Sequence, residues 1–158
     1  MENTYSFDEL NMLDLFKSTI GDAFKNDSEH KKDYWYELFG NRDVKFYESY
    51  QVDEPQFPCI VITIEATPYQ RNIHSSEIEQ FSFVSVSLEH YNQSVNNSGK
   101  EKLGIMINHR IKTVLQKTFG LLITSNKQIS SPDNSLYRRR IEMNFVYDNK
   151  NKVFYRER

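Results

Sequence analysis

The sequence predicts an α+β fold, a mostly antiparallel sheet of four to six strands with two main helices packed on one face. Three observations predict it. Two segments, at about residues 7–25 and 100–119, repeat apolar residues at three- and four-residue spacing, the period of an amphipathic helix. Several others, Tyr137–Asp148 most clearly, alternate apolar and polar residues as half-buried strands do. The order helix, strands, helix, strands brings hairpin-like strand pairs together and keeps the helices apart from them. At 158 residues the chain is expected to form one domain over 1–158.

Ser6 opens the first helix. Ser6 and Glu9 have the spacing of a capping box, in which each side chain satisfies a backbone N–H that the helix start leaves unpaired. Phe7, Leu10, Leu13, Phe16, Ile20 and Phe24 then form the expected apolar stripe, and Gly21 weakens the later turns by about 1 kcal/mol relative to alanine. The polar connection Asn26–Asp33 and the aromatic run Tyr34–Gly40 follow, the latter compatible with a helical turn or a strand. Val44–Tyr50 reads as a strand, and Pro55 and Pro58 bracket an extended approach to the next one.

Cys59–Ala66 is β-branched and almost continuously apolar, which predicts a central strand with both faces partly covered. Residues 69–76 form a polar excursion. In Ile78–Tyr91, Val84, Val86 and Leu88 alternate with Ser85, Ser87 and Glu89, while Phe81 and Phe83 sit in the opposite phase, which suggests a bulge or a strand that crosses from one packing environment to another. Ser98 and Glu101 make a second capping-box pair. The helix after them buries Leu103, Ile107, Ile111, Val114, Leu115 and Phe119, turns Asn108 and Lys112 to water, and stops at Gly120. Leu121–Thr124 is a short strand, and 124–135 a polar loop. Tyr137–Asp148 is a long strand, and after a turn Val153–Arg156 returns as its antiparallel partner.

Composition bounds the function. A formal net charge of −2 exerts no overall pull on nucleic acid or an anionic membrane, so such contacts would need a local patch. The N-terminus lacks a signal-peptide pattern, and no apolar run approaches the roughly 20 residues of a membrane-spanning helix, so a soluble protein without membrane contact is expected. Cys59 is the single cysteine; an intrachain disulfide is excluded and a buried structural role is expected. Ten tyrosines and eleven phenylalanines exceed the needs of a small core, which fits either a tyrosine-rich sheet or protein–protein contact.

Catalytic patterns are absent. His30, His74, His90 and His109 are dispersed without metal-ligand spacing, and the glycines never cluster into a phosphate loop. There is no nucleophile elbow. The acid pairs Asp53–Glu54 and Glu77/Glu79 fall in loop or edge positions. No enzyme activity, cofactor or metal is expected. The one charge cluster is Arg138-Arg139-Arg140. It reads as a docking patch for carboxylates or phosphates, or as charge guarding a solvated strand against edge pairing. Strand period places Arg138 and Arg140 outward and Arg139 on the apolar face of Tyr137 and Ile141, where it must find a partner or reach a rim.

An amphipathic N-terminal helix comes first, and the approach Gln56-Phe57-Pro58-Cys59-Ile60-Val61-Ile62 enters an apolar strand. Leu88-Glu89-His90-Tyr91 then leads to the helix Lys102–Phe119 closed by Gly120, and Ser135-Leu136-Tyr137-Arg138-Arg139-Arg140-Ile141-Glu142 follows a polar loop. This order, which covers the first helix and most of the chain from about Val44 onward, resembles the tail terminator (tail completion) proteins of long-tailed phages and phage-like contractile tails. The resemblance implies a structural virion subunit of the tail and neck, assembled in the bacterial cytoplasm, that forms a homo-oligomeric, hexameric ring. Such a ring caps the tail tube protein and meets the head-completion or connector protein. Tyr137, Arg138, Arg139 and Arg140 are then candidate subunit-interface residues, and the loops 69–76 and 124–135 candidate contacts to neighbouring rings. The alternatives are a head-completion, neck or other tail-associated protein and, in another class, a small nucleic-acid-binding module using the arginines and nearby tyrosines.

Overall fold

The computed structural model describes residues 5–25, 44–48, 55–69, 79–95, 99–131 and 135–156. Among them are two helices, α1 (Glu9–Lys25) and α2 (Lys100–Phe119). Six strands accompany them: β1 (Lys45–Tyr47), β2 (Cys59–Pro68), β3 (Phe81–Asn92), β4 (Ile123–Gln128), β5 (Tyr137–Asp148) and β6 (Val153–Arg156). They form one sheet in the order β1-β2-β3-β5-β4, and β6 pairs with the far end of β5. Every pairing is antiparallel except the short parallel one between β1 and β2. Both helices pack on one face, so the fold is the expected α+β.

The start of α1 differs from the capping box expected at Ser6. The Asp8 carboxylate accepts the Asn11 N–H at 3.1 Å, so Asp8 is the cap and the helix begins at Glu9. Met12, Phe16, Ile20 and Phe24 are buried, whereas Leu10, expected in the stripe, is 74% exposed. Leu10 lies roughly 120° around the helix from Phe16, off the i, i+4 row that faces the sheet. At the other end of α1, Arg110 of α2 donates from Nη2 to the Ala23 carbonyl at 3.1 Å. A cation there satisfies a last-turn carbonyl and suits the negative helix end.

Of the two readings of β3 the bulge is absent, because its ladders to β2 and β5 run unbroken. Phe81 and Phe83 share the outer face with Ser85 and Ser87; that face is apolar at one end and polar in the middle. The register irregularity lies instead between Ile123 and Ser125 on β4. β2 is second from the sheet edge; its outer face is covered at the Cys59 end by Phe57, Tyr91 and Leu136 and open at Thr63 and Glu65, so it is partly covered as expected. β4 starts two residues later than the predicted strand Leu121–Thr124 and runs into what reads as the polar loop 124–135. An edge strand on a sheet with one open face needs little apolar character, and only Ile123 of β4 joins the core. β1 is shorter than the predicted Val44–Tyr50; Tyr50, like Asn26–Arg42, Ile78 and Ser98, lies outside the described residues.

Between helices and sheet lies the main core, with Leu88, Ile107, Ile111, Leu115, Ile141 and Phe145 fully buried. A smaller cluster of Phe57, Cys59, Tyr91 and Leu136 covers one end of the outer face. α2 is capped at Gly99 without a side-chain bond; the Lys100 N–H instead donates to the Ser94 hydroxyl at 3.1 Å. It ends, as predicted, at Gly120 with φ 63°.

Gly104 sets how closely α2 approaches the sheet. A methyl group built on it would overlap the Tyr137 ring at Cδ1 and Cε1. Gly104→Ala is therefore expected to destabilise the fold by about 1–3 kcal/mol in urea denaturation, despite alanine's better helix propensity. The double variant Gly104→Ala/Tyr137→Leu should recover part of that loss. A neutral or stabilising Gly104→Ala would contradict this packing.

Candidate functional site

β5 enters the sheet at Tyr137, and its pleat sends successive side chains to opposite faces. Arg138 and Arg140 reach the outer face, where the β3–β5 register sets Arg140 opposite Glu89 and Arg138 opposite Tyr91. One carboxylate holds both guanidiniums. Arg138 donates to Glu89 Oε2 from Nε at 3.2 Å and Nη2 at 2.8 Å; Arg140 donates to Oε1 from Nε at 2.9 Å and Nη2 at 2.5 Å. The Tyr91 hydroxyl adds a 2.6 Å bond to Oε2, and Arg138 lies over the Tyr91 ring, 5.4 Å from its centroid. Arg138 also donates from Nη1 to the Ser130 carbonyl at 3.1 Å.

The electrostatics follow from this geometry. Burial by itself raises the Glu89 pKa, but the Tyr91 hydroxyl and the two guanidiniums outweigh it and hold the carboxyl below its usual range. Glu89 in turn raises Arg140. Burial and the Glu89 carboxylate push the Tyr91 hydroxyl up, so it stays protonated and donating. Glu89 and Arg140 are thus held in their charged forms.

The helix side of the same strand end is polar but differently satisfied. Arg139 donates from Nε to Asn126 Oδ1 at 2.8 Å and from Nη1 to the Tyr137 hydroxyl at 3.0 Å. It finds its partners, but neutral ones; among the described residues no carboxylate pairs with it. His90, opposite Arg139 in register, is fully buried, with Nε2 3.1 Å from Asn108 Oδ1 and Nδ1 without a hydrogen-bond partner among the described residues. Burial depresses its pKa to about 4; the Arg139 charge adds to that and the Asn108 bond opposes it.

The four candidate interface residues therefore divide. Tyr137 is 2% exposed and packs under Gly104, so it serves the subunit's own core. Arg139 is half-buried on the helix side. Arg138 and Arg140 share the outer face. Asn108, expected to face water, is buried against His90; it falls on the row Gly104, Asn108, Ile111 and Leu115, a helical spacing that could have revealed it. Glu89 went unnoticed because only cross-strand register pairs it with arginines some 50 residues away.

The Cys59 thiol is buried and its pKa is pushed up to about 12 by desolvation, which keeps it protonated and unreactive. Among the described residues no group of three His, Cys, Asp or Glu side chains is placed to hold a metal ion. The outer face carries a shallow groove of about 320 Å³ lined by Thr63, Glu65, Ser85, Ser87, Glu142 and Asn144. No described helix is long and apolar enough to cross a membrane. Comparison of the sequence with protein-family models and with curated proteins returns no match.

Two outcomes test this geometry. The unfolded chain takes up a proton near the ordinary imidazole pKa of 6.5, whereas folded His90 does so only near 4. The unfolded state then binds more protons, so stability contributed by neutral His90 is complete above pH 6.5 and declines as pH falls toward 4, by up to about 1.4 kcal/mol per pH unit. Urea titrations across that range should show the decline, and His90→Gln should remove it; a pH-independent wild type would refute the assignment. Glu89→Gln should cost about 1–3 kcal/mol, because it leaves two neighbouring guanidiniums without their counter-charge. A cost below about 0.3 kcal/mol would mean that the three charges are not coupled.

Proposed function

We propose that this protein is a structural subunit without catalytic activity, a tail terminator or completion protein whose ring caps a phage-type tail tube and meets the head connector. The observation that carries this reading is the locked guanidinium pair on an uncovered sheet face. Side chains already fixed by Glu89 lose little freedom on meeting another surface, which favours recognition. The shifts of Glu89 and Arg140 both favour their charged forms, so this pair acts as fixed charge. The α+β layout and the described strand and helix order from β1 onward agree with what the resemblance implies.

The same cluster weakens the nucleic-acid alternative, since Glu89 already occupies much of the donor capacity that phosphates would need. Light scattering on the purified chain should give a closed oligomer of about six times 18.8 kDa, alone or on tail tubes. A strict monomer under both conditions would overturn the reading. The triple variant Glu89→Gln/Arg138→Gln/Arg140→Gln, which removes all three charges together, should stay folded and assemble poorly.

A further inference from the structure

The outer face and the start of α1 complement each other, and they lie on opposite sides of the molecule. Register lines up Val61, Glu89, Arg140 and Lys127 as one row across β2, β3, β5 and β4. Val61 is half-buried and apolar. Beside it the Glu89 carboxylate is already neutralised, and beyond that Arg140 and exposed Lys127 add positive charge. Arg140 leans over Glu89, and its Nη1 has no hydrogen-bond partner among the described residues. The row thus presents an apolar contact and, two strand spacings or about 9.6 Å along the sheet, the base of an arginine whose guanidinium reaches back to Glu89 on the strand between.

The first turns of α1 carry the reverse pattern. Leu10, at 74% exposure, is the most exposed large apolar side chain among the described residues. Asp14 follows it by one helical turn on the same face, about 5–6 Å away, and Glu9 adjoins it. Both acids are exposed, and the helix has no cation before Lys17. An apolar group followed by a carboxylate complements, in order and in sign, an apolar group followed by a guanidinium that long side chains on both surfaces can reach.

We propose that the α1 face Glu9–Leu10–Asp14 of one copy docks on the Val61–Arg140–Lys127 row of the next copy. Leu10 covers Val61, and Asp14 accepts from Arg140 Nη1 beside Lys127. Because the two patches differ and lie on opposite faces, the contact is heterologous and repeats head to tail until the rotation closes. This inference rests on the ring reading and names the contact that builds the ring. It also accounts for an exposed leucine that the subunit's own core leaves out.

Cysteine cross-linking tests it. A chain carrying Leu10→Cys and Val61→Cys, mildly oxidised, should give a ladder of disulfide-linked oligomers that ends at the ring size. With Cys59→Ala in every variant, chains with one introduced cysteine should cross-link when Leu10→Cys is mixed with Val61→Cys and stay uncoupled when each is alone. Asp14→Lys and Lys127→Glu, both at exposed positions, should each weaken self-association about tenfold, and their combination should restore it. A closed oligomer by light scattering that yields no ladder and ignores both charge reversals would overturn this contact while leaving the ring reading intact. A monomer at every concentration, with no ladder and none on tail tubes, would overturn both.

Discussion

β3 and β5 pair along their whole lengths, from Phe81 opposite Asp148 to Asn92 opposite Tyr137, and that register assigns almost every side chain of consequence. It sets Val84 against Phe145 and Leu88 against Ile141 under the helices. On the other face it sets Glu89 against Arg140 and Tyr91 against Arg138. A slip of one residue would drive Arg138 and Arg140 into the apolar layer and turn Ile141 and Met143 outward. Desolvating those charges would cost several kcal/mol each, more than any alternative pairing could return. Hydrophobic burial on one face and ion pairing on the other therefore select the same register.

The helix layer is tied to this ladder at its polar end. Gly104 lets α2 rest on the Tyr137 ring, and Asn108, one turn on, meets His90. Neither contact adds much apolar area. Their effect is to fix where α2 lies along the sheet, which Leu103, Ile107 and Ile111 alone would leave to shape complementarity. The cost is a buried imidazole ring nitrogen without a partner and an arginine satisfied by neutral groups. The strand end that carries the outer charges is consequently clamped from behind.

A sheet covered on one face and open on the other has two chemically distinct sides, as head-to-tail assembly requires. Here the open side is not a featureless solvated surface. Its charges are held in place by short hydrogen bonds, and its apolar corner is closed by the Phe57, Cys59, Tyr91 and Leu136 cluster. The opposite side ends in a helix whose first turns are acidic and carry a leucine that the core does not use.

The sequence by itself determined the fold class, the two helices, and the strands β2, β3, β5 and β6, because period and punctuation are local properties that side-chain spacing records. It also separated Arg138 and Arg140 from Arg139, since that division needs only the strand pleat. It misplaced the cap of α1, ended β4 at Thr124 and assigned its rest to loop, and left open whether β3 carries a bulge. In each case the deciding interaction is made with a neighbour: the Asn11 N–H for Asp8, the backbone of β5 for β4, and two unbroken ladders for β3. Only the tertiary structure could show that Tyr137 belongs to the core, that Glu89 holds both outer arginines, and that Leu10 is left exposed. Those outcomes depend on register and on helix rotation about its own axis, and both are set when whole faces meet.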